Sequence, residues 1–192
     1  MLNKTVLTTS GAAVAAAFGG QAAAESADFA GFYFGAQVGL AKGEFDVPCS
    51  VDCYDLDGNP AGVFAGYNHD AGGFIIGVEL AHTGDLGEAA YDESFSFEET
   101  TDLKLKFGTT VGKSLIYGVV GATRTSASFT DAETFSEESA NGTLFGVGAE
   151  MGLGQNGFFG VELLNRNYGN QFEGYIDGGN VQTVSLRAGF RF

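Results

Sequence analysis

The sequence predicts an all-β fold: an eight-stranded antiparallel up-and-down transmembrane β-barrel behind a cleavable N-terminal signal peptide. Three observations predict it. Apolar and small or polar residues alternate with period two through most of the chain after residue 30. The connectors between these segments alternate short and long. The polar face of the segments is also their glycine-rich face, so the bulky apolar face cannot be the one that fills a narrow interior.

The N-terminus is a targeting segment. Met1-Leu2-Asn3-Lys4 is a short basic start, and Val6 to Gly20 is apolar or small. Ala22-Ala23-Ala24 then fits a small-x-small cleavage site, with cleavage expected after Ala24. The expected division is therefore a signal peptide over 1–24 and one barrel domain over 25–192. No later stretch carries the 18 consecutive apolar residues of a membrane-spanning helix. That leaves a strand-built membrane protein open, because barrel strands carry a weaker, alternating signal.

The segments follow in order. Phe32, Phe34, Ala36, Val38 and Leu40 share the apolar face of the first, opposite Tyr33, Gly35, Gln37, Gly39 and Ala41. The second sets Val63, Ala65 and Tyr67 against Gly62, Phe64, Gly66 and Asn68. The third sets Phe74, Ile76, Val78 and Leu80 against Ile75, Gly77, Glu79 and Ala81. In the fourth, Leu103, Leu105, Phe107, Thr109 and Val111 alternate with Lys104, Lys106, Gly108, Thr110 and Gly112. The fifth, Leu115 to Thr125, is apolar or small at both parities; turning Arg124 inward sets its expected register. In the sixth, Phe145, Val147, Ala149 and Met151 oppose Gly146, Gly148, Glu150 and Gly152. The seventh sets Phe159, Val161 and Leu163 against Gly160, Glu162, Leu164 and Arg166. The eighth sets Val184, Leu186, Ala188, Phe190 and Phe192 against Ser185, Arg187, Gly189 and Arg191.

Asp70 to Gly73, Lys113 to Ser114 and Gly154 to Gly157 are short and turn-like. Asp46 to Pro60, Thr83 to Thr101, Ser126 to Asn141 and Asn167 to Val181 are long. Short periplasmic turns and long external loops give this pattern when both termini face the periplasm. With that orientation Phe32, Tyr67, Phe74, Tyr117, Phe159 and Phe192 fall at one height, as an interfacial aromatic girdle.

The expected lumen holds Glu79, Lys104, Lys106, Arg124, Glu150, Glu162, Arg166, Arg187 and Arg191. Unpaired charges there are costly, so salt-bridge networks are expected. These residues make either a polar plug or a cation-lined pore; the narrow interior of eight strands favours the plug. Six cations against three carboxylates leave an excess without partners on this assignment.

The formal net charge of −15 argues against nucleic acid as a partner. Many carboxylates fall in the long connectors, Asp85, Glu88, Asp92, Glu93, Glu98 and Glu99 among them. Divalent cations bridging these groups to lipopolysaccharide phosphates are one expected interaction. Cys49 and Cys53 lie close together in a chain bound for an oxidising compartment, so a loop-stapling disulfide is expected.

The residues resemble the OmpA/OmpX-like small outer membrane barrels, particularly the outer membrane protein β-barrel domain family. The resemblance covers the whole of 25–192. It rests on Gly66-Tyr67-Asn68, Gly77-Val78-Glu79, Leu105-Lys106-Phe107-Gly108, Gly146-Val147-Gly148-Ala149-Glu150 and the ending Leu186 to Phe192. It implies an integral outer membrane location, with lipid and lipopolysaccharide as surroundings. Phe190 and the terminal Phe192 resemble the signal read by the barrel assembly machinery.

No catalytic, cofactor or metal site is expected. Gly152-Leu153-Gly154-Gln155-Asn156-Gly157 matches a dinucleotide-binding string, but no helix follows it. Asp55-Leu56-Asp57-Gly58-Asn59 lacks the spacing of a calcium loop. The two histidines, His69 and His82, lie in no motif with a nucleophile. The leading expectation is a non-enzymatic structural or surface-interaction protein acting through acidic external loops. A small-solute channel is the alternative, and a lipid A-modifying enzyme comes third. Sequence names no loop partner.

Overall fold

The computed structural model describes residues 26–45, 54–91, 93–131, 134–169 and 179–192. The expected signal peptide with its cleavage site at Ala24, and the cysteines Cys49 and Cys53, lie outside them.

Among the described residues a 3-10 turn, Ser26–Phe29, precedes nine strands. They are β1 (Gly31–Phe45), β2 (Tyr54–Gly58), β3 (Ala61–Asp70), β4 (Phe74–Tyr91), β5 (Glu93–Val111), β6 (Ser114–Asp131), β7 (Thr134–Leu153), β8 (Gly157–Asn167) and β9 (Gly179–Arg191). Every neighbouring pair is antiparallel, and β1 pairs with β9 from Tyr33↔Arg191 to Phe45↔Gly179, which closes the sheet. Closure leaves no open edge within the barrel wall.

Nine strands make eight staves, because β2 and β3 follow one another between the same neighbours, β1 and β4. The break falls at Asn59-Pro60. Pro60 has no N–H to give a ladder, so the strand cannot run through it unbroken. Its carbonyl still accepts from Gly39 N at 2.8 Å and holds the two segments in line. The fold is thus the closed eight-strand up-and-down barrel expected from the alternation.

The short connections shrink to tight turns. At the β5–β6 turn Gly112 sits at φ 61°, a conformation that disfavours a side chain. The Gly152–Gly157 string is the tight β7–β8 turn, with Gly154 at φ 66°.

Two of the long connectors differ from expectation. Segments 83–101 and 126–141 are long hairpins and not loops: β4 pairs with β5 as far as Tyr91↔Glu93, and β6 with β7 as far as Asp131↔Thr134. With β5–β6 pairing out to Ser94↔Thr130, four strands continue as one sheet past the apolar band. Outside lipid no apolar face is needed, so the backbone ladder extends where the alternating pattern has stopped. Asp55 to Gly58 likewise lies in β2, paired with β1.

The outward face carries Leu40, Val63, Leu80, Leu103, Phe145 and Leu186, all more than half exposed. In water this surface would promote aggregation; in a hydrocarbon layer it is the solvated face. No helix of the described residues is long and apolar enough to cross a membrane.

Candidate functional site

The lumen is built from the inward parities of the strands. Glu79 comes from β4, Asp102, Lys104 and Lys106 from β5, Glu150 from β7, Glu162 and Arg166 from β8, and Arg187 and Arg191 from β9. All are buried.

Their charges alternate in space. Lys104 Nζ lies 2.6 Å from Glu162 Oε1 and 3.1 Å from Glu79 Oε1. Arg187 bridges the same two carboxylates, at 2.6 Å to Glu79 Oε2 and 2.6 Å to Glu162 Oε2. Lys106 Nζ reaches Glu150 Oε1 at 2.7 Å and Glu79 Oε2 at 3.5 Å. Arg191 Nη2 closes the chain on Glu150 Oε2 at 3.2 Å. Each charge that has left water thus meets opposite charge from at least one other strand, the condition under which burial is tolerable.

Aromatic rings fill the space between the ions. The Tyr33 hydroxyl donates to Glu79 Oε2 at 2.8 Å, and the Tyr117 hydroxyl to Glu162 Oε2 at 3.1 Å. Lys106 Nζ stands 4.0 Å from the Tyr117 ring centre, and the Arg187 guanidinium 3.9 Å from that of Phe64. Cations over ring faces gain electrostatic stabilisation without needing another carboxylate. The inward glycines make room: a Cβ on Gly148 would overlap the Tyr117 ring.

A second cluster lies nearer the hairpins. Arg166 grips Asp102 with Nη2 at 2.6 Å and Nε at 3.2 Å, and donates from Nη1 to Thr183 at 2.7 Å. Above it, Tyr168 and Thr125 share a hydrogen bond of 2.7 Å, and Thr125 and Thr100 one of 2.8 Å.

At the opposite mouth the 3-10 turn tucks under the barrel. Phe29 is buried, its carbonyl accepts from Asn68 Nδ2 at 3.0 Å, and Arg191 lies over its ring. Arg191 Nη1 also donates to the Asp28 carbonyl at 3.1 Å.

Two sequence assignments are corrected. Arg124 does not enter the lumen: it is exposed on the outer wall, and Thr123 and Thr125 beside it are buried. The β6 register is therefore the reverse of the one expected, which also takes Tyr117 out of the aromatic girdle and into the core. The reason is tertiary: an inward Tyr117 hydroxyl finds Glu162 and Arg187. Asp102 was missed altogether. It sits one residue before the expected start of the fourth segment, at the same parity as Lys104 and Lys106. Moving Arg124 out and Asp102 in cuts the cation excess from three to one, leaving five cations with four carboxylates.

Phe32, Tyr67, Phe74, Phe159 and Phe192 remain on the outer wall near the short turns. Phe34 stacks on Phe192 with ring centres 5.6 Å apart, across the β1–β9 seam. His69 and His82 stand near opposite ends of the wall, and His82 Nδ1 pairs with Thr101 Oγ1 at 3.1 Å. No group of metal-ligating side chains occurs among the described residues.

A family model described as outer membrane protein beta-barrel domain matches residues 10–192. The chain belongs to that family. It is an integral protein of the outer membrane, and in barrels of that membrane short turns face the periplasm and the longer connections face outward. Solved barrels of the same architecture include Ail, the attachment invasion locus protein of Yersinia pestis, at 17% identity and TM-score 0.55, covering 85% of this chain and 99% of Ail. Neisserial surface protein A is similar at 13% identity and TM-score 0.63, covering 84% and 97%. OprG of Pseudomonas aeruginosa is similar at 11% identity and TM-score 0.51, covering 85% and 96%. At these identities the likeness is one of fold. Ail has also been solved with the heparin analogue sucrose octasulfate. No curated protein matches the sequence.

Proposed function

We propose that this outer membrane barrel is a non-enzymatic, non-conducting platform that presents acidic hairpins to cationic surfaces outside the cell. The observation that carries this reading is the filled lumen. Glu79, Lys104 and Lys106 are 0% exposed, and Glu150, Glu162 and Arg187 at most 2%. Ions held on both sides by opposite charge leave no polar path for a solute, so function moves to the outer end. Export through cleavage after Ala24 belongs to the same reading.

The hairpins supply the chemistry. Residues 84–101 carry six carboxylates and residues 126–141 carry Asp131, Glu133, Glu137 and Glu138, with no Lys or Arg in either beyond the membrane edge. A surface of one sign steers partners of the other and repels its own. Ail binds a polysulfated sugar analogue; the charge on this chain favours the opposite class, a basic protein or peptide surface.

The test uses the whole barrel in nanodiscs, with polylysine and heparin as probes. Polylysine is expected to bind, weakening as salt rises, and heparin is not. Shortening both hairpins, by removing 86–97 and 128–137, is expected to abolish polylysine binding and leave the barrel folded. Heparin binding, or polylysine binding indifferent to the hairpins, overturns the proposal.

A further inference from the structure

The two edges of the apolar band are chemically different. At the edge by the short turns the outward side chains include the aromatic rings of Phe32, Tyr67, Phe74, Phe159 and Phe192. At the outer edge, immediately beyond Leu80, Leu103 and Ala122, they are hydrogen-bond donors. One row crosses four strands there: His82, Thr101, Arg124 and Asn141, joined pairwise in the ladders as His82↔Thr101, Thr101↔Arg124 and Arg124↔Asn141. All four are exposed.

Arg124 is the centre of this row. Every other arginine of the described residues points into the lumen, where each meets a carboxylate. Arg124 points the other way. Its Nη2 donates to Ser139 Oγ at 3.3 Å, a neutral acceptor. A long cationic side chain at a membrane boundary lays its stem along the apolar wall and puts its charged end at the headgroup level. The row itself contains no carboxylate. The nearest in the pairing pattern is Glu99, one ladder step further out, opposite Ser126.

Placement and chemistry together specify a ligand. A planar guanidinium with spare N–H groups suits the tetrahedral oxygens of a phosphate. Thr101 and Asn141, one on each side of it, add neutral donors. The acidic hairpins above repel anionic headgroups, so contact with such lipid must be made below them, at this row. We infer that His82, Thr101, Arg124 and Asn141 form a docking site on the outer wall for a phosphate of the outer-leaflet glycolipid, lipid A.

The inference rests on the outward orientation of the hairpins but not on what the hairpins bind. Labelling the hairpins from outside intact cells tests that orientation separately. The site is tested with the whole barrel in detergent micelles, by native mass spectrometry, using three probes: diphosphoryl lipid A, dephosphorylated lipid A and phosphatidylglycerol. Wild type is expected to retain diphosphoryl lipid A about tenfold better than the dephosphorylated form, the scale of one or two charge-assisted hydrogen bonds. Arg124→Gln is expected to remove that preference, Arg124→Lys to keep part of it, and Lys113→Gln, at a periplasmic turn, to leave it intact. Unboiled gel migration checks that each variant is folded. Unchanged retention by Arg124→Gln, an equal loss with Lys113→Gln, or phosphatidylglycerol held as tightly as diphosphoryl lipid A would overturn the assignment.

Discussion

Arg166 and Asp102 face each other across the lumen in a two-pronged ion pair, with nitrogen–oxygen distances of 2.6 and 3.2 Å and both side chains buried. They come from β8 and β5, which are not neighbours in the sheet. The pair is therefore a strut across the barrel rather than a feature of one ladder. Removing one end leaves a charge in a place water does not reach. Asp102→Ala is expected to lower stability by about 3–5 kcal/mol, measured by urea unfolding in detergent. Asp102→Leu combined with Arg166→Met should recover most of that loss, because no orphan charge remains.

The reversed register of β6 makes a sharp contrast between two arginines. Arg124→Gln changes an exposed outer-wall side chain, and its effect on stability should stay within about 0.5 kcal/mol. Arg187→Gln takes a shared, buried guanidinium from Glu79 and Glu162 and leaves Lys104 alone to bridge them, with an expected loss of about 3–5 kcal/mol. The same unfolding assay compares them. Equal losses would mean that Arg124 is inside.

Two glycines of adjacent strands separate the lumen from the lipid face. A Cβ on Gly148 would collide with the Tyr117 ring, whereas one on Gly118 meets nothing closer than 3.9 Å. Gly148→Ala is expected to cost about 1–3 kcal/mol through overpacking. Gly118→Ala should be near neutral. Unfolding midpoints of the two variants test this directly.

Arg191 ties the far end of the chain to the 3-10 turn at the periplasmic mouth. Phe29→Ala removes a buried ring beneath it and is expected to cost about 3–5 kcal/mol. A loss below 1 kcal/mol would show that the turn is not packed in solution.

The strands of the wall were legible where one parity carried charge and the other did not. β5 is the clearest case: Lys104 and Lys106 cannot face lipid, so Leu103, Leu105 and Phe107 must. β6 was not legible for the opposite reason. Leu115 to Ala122 is apolar or small at both parities, and its lone Arg124 lies at the membrane edge, where a cation is stable on either face. Its register depends on where the Tyr117 hydroxyl finds partners, and these are distant in sequence. The outer ends of β4 to β7 were hidden because strands in water above a membrane need no apolar face. Asp102 was within reach: continuing the parity of Lys104 back by two residues finds it. The plugging turn at Ser26–Phe29 has no periodic signal, being one turn long.

The most direct test of the central claim, a barrel filled by its own ion pairs, is single-channel recording of the full protein in planar bilayers. A filled lumen predicts a silent membrane, with no stepwise conductance at any applied voltage that the bilayer survives. Steady ohmic steps from the wild-type protein would mean that Lys104, Lys106, Arg187 and their carboxylates line a pore, and would contradict the account.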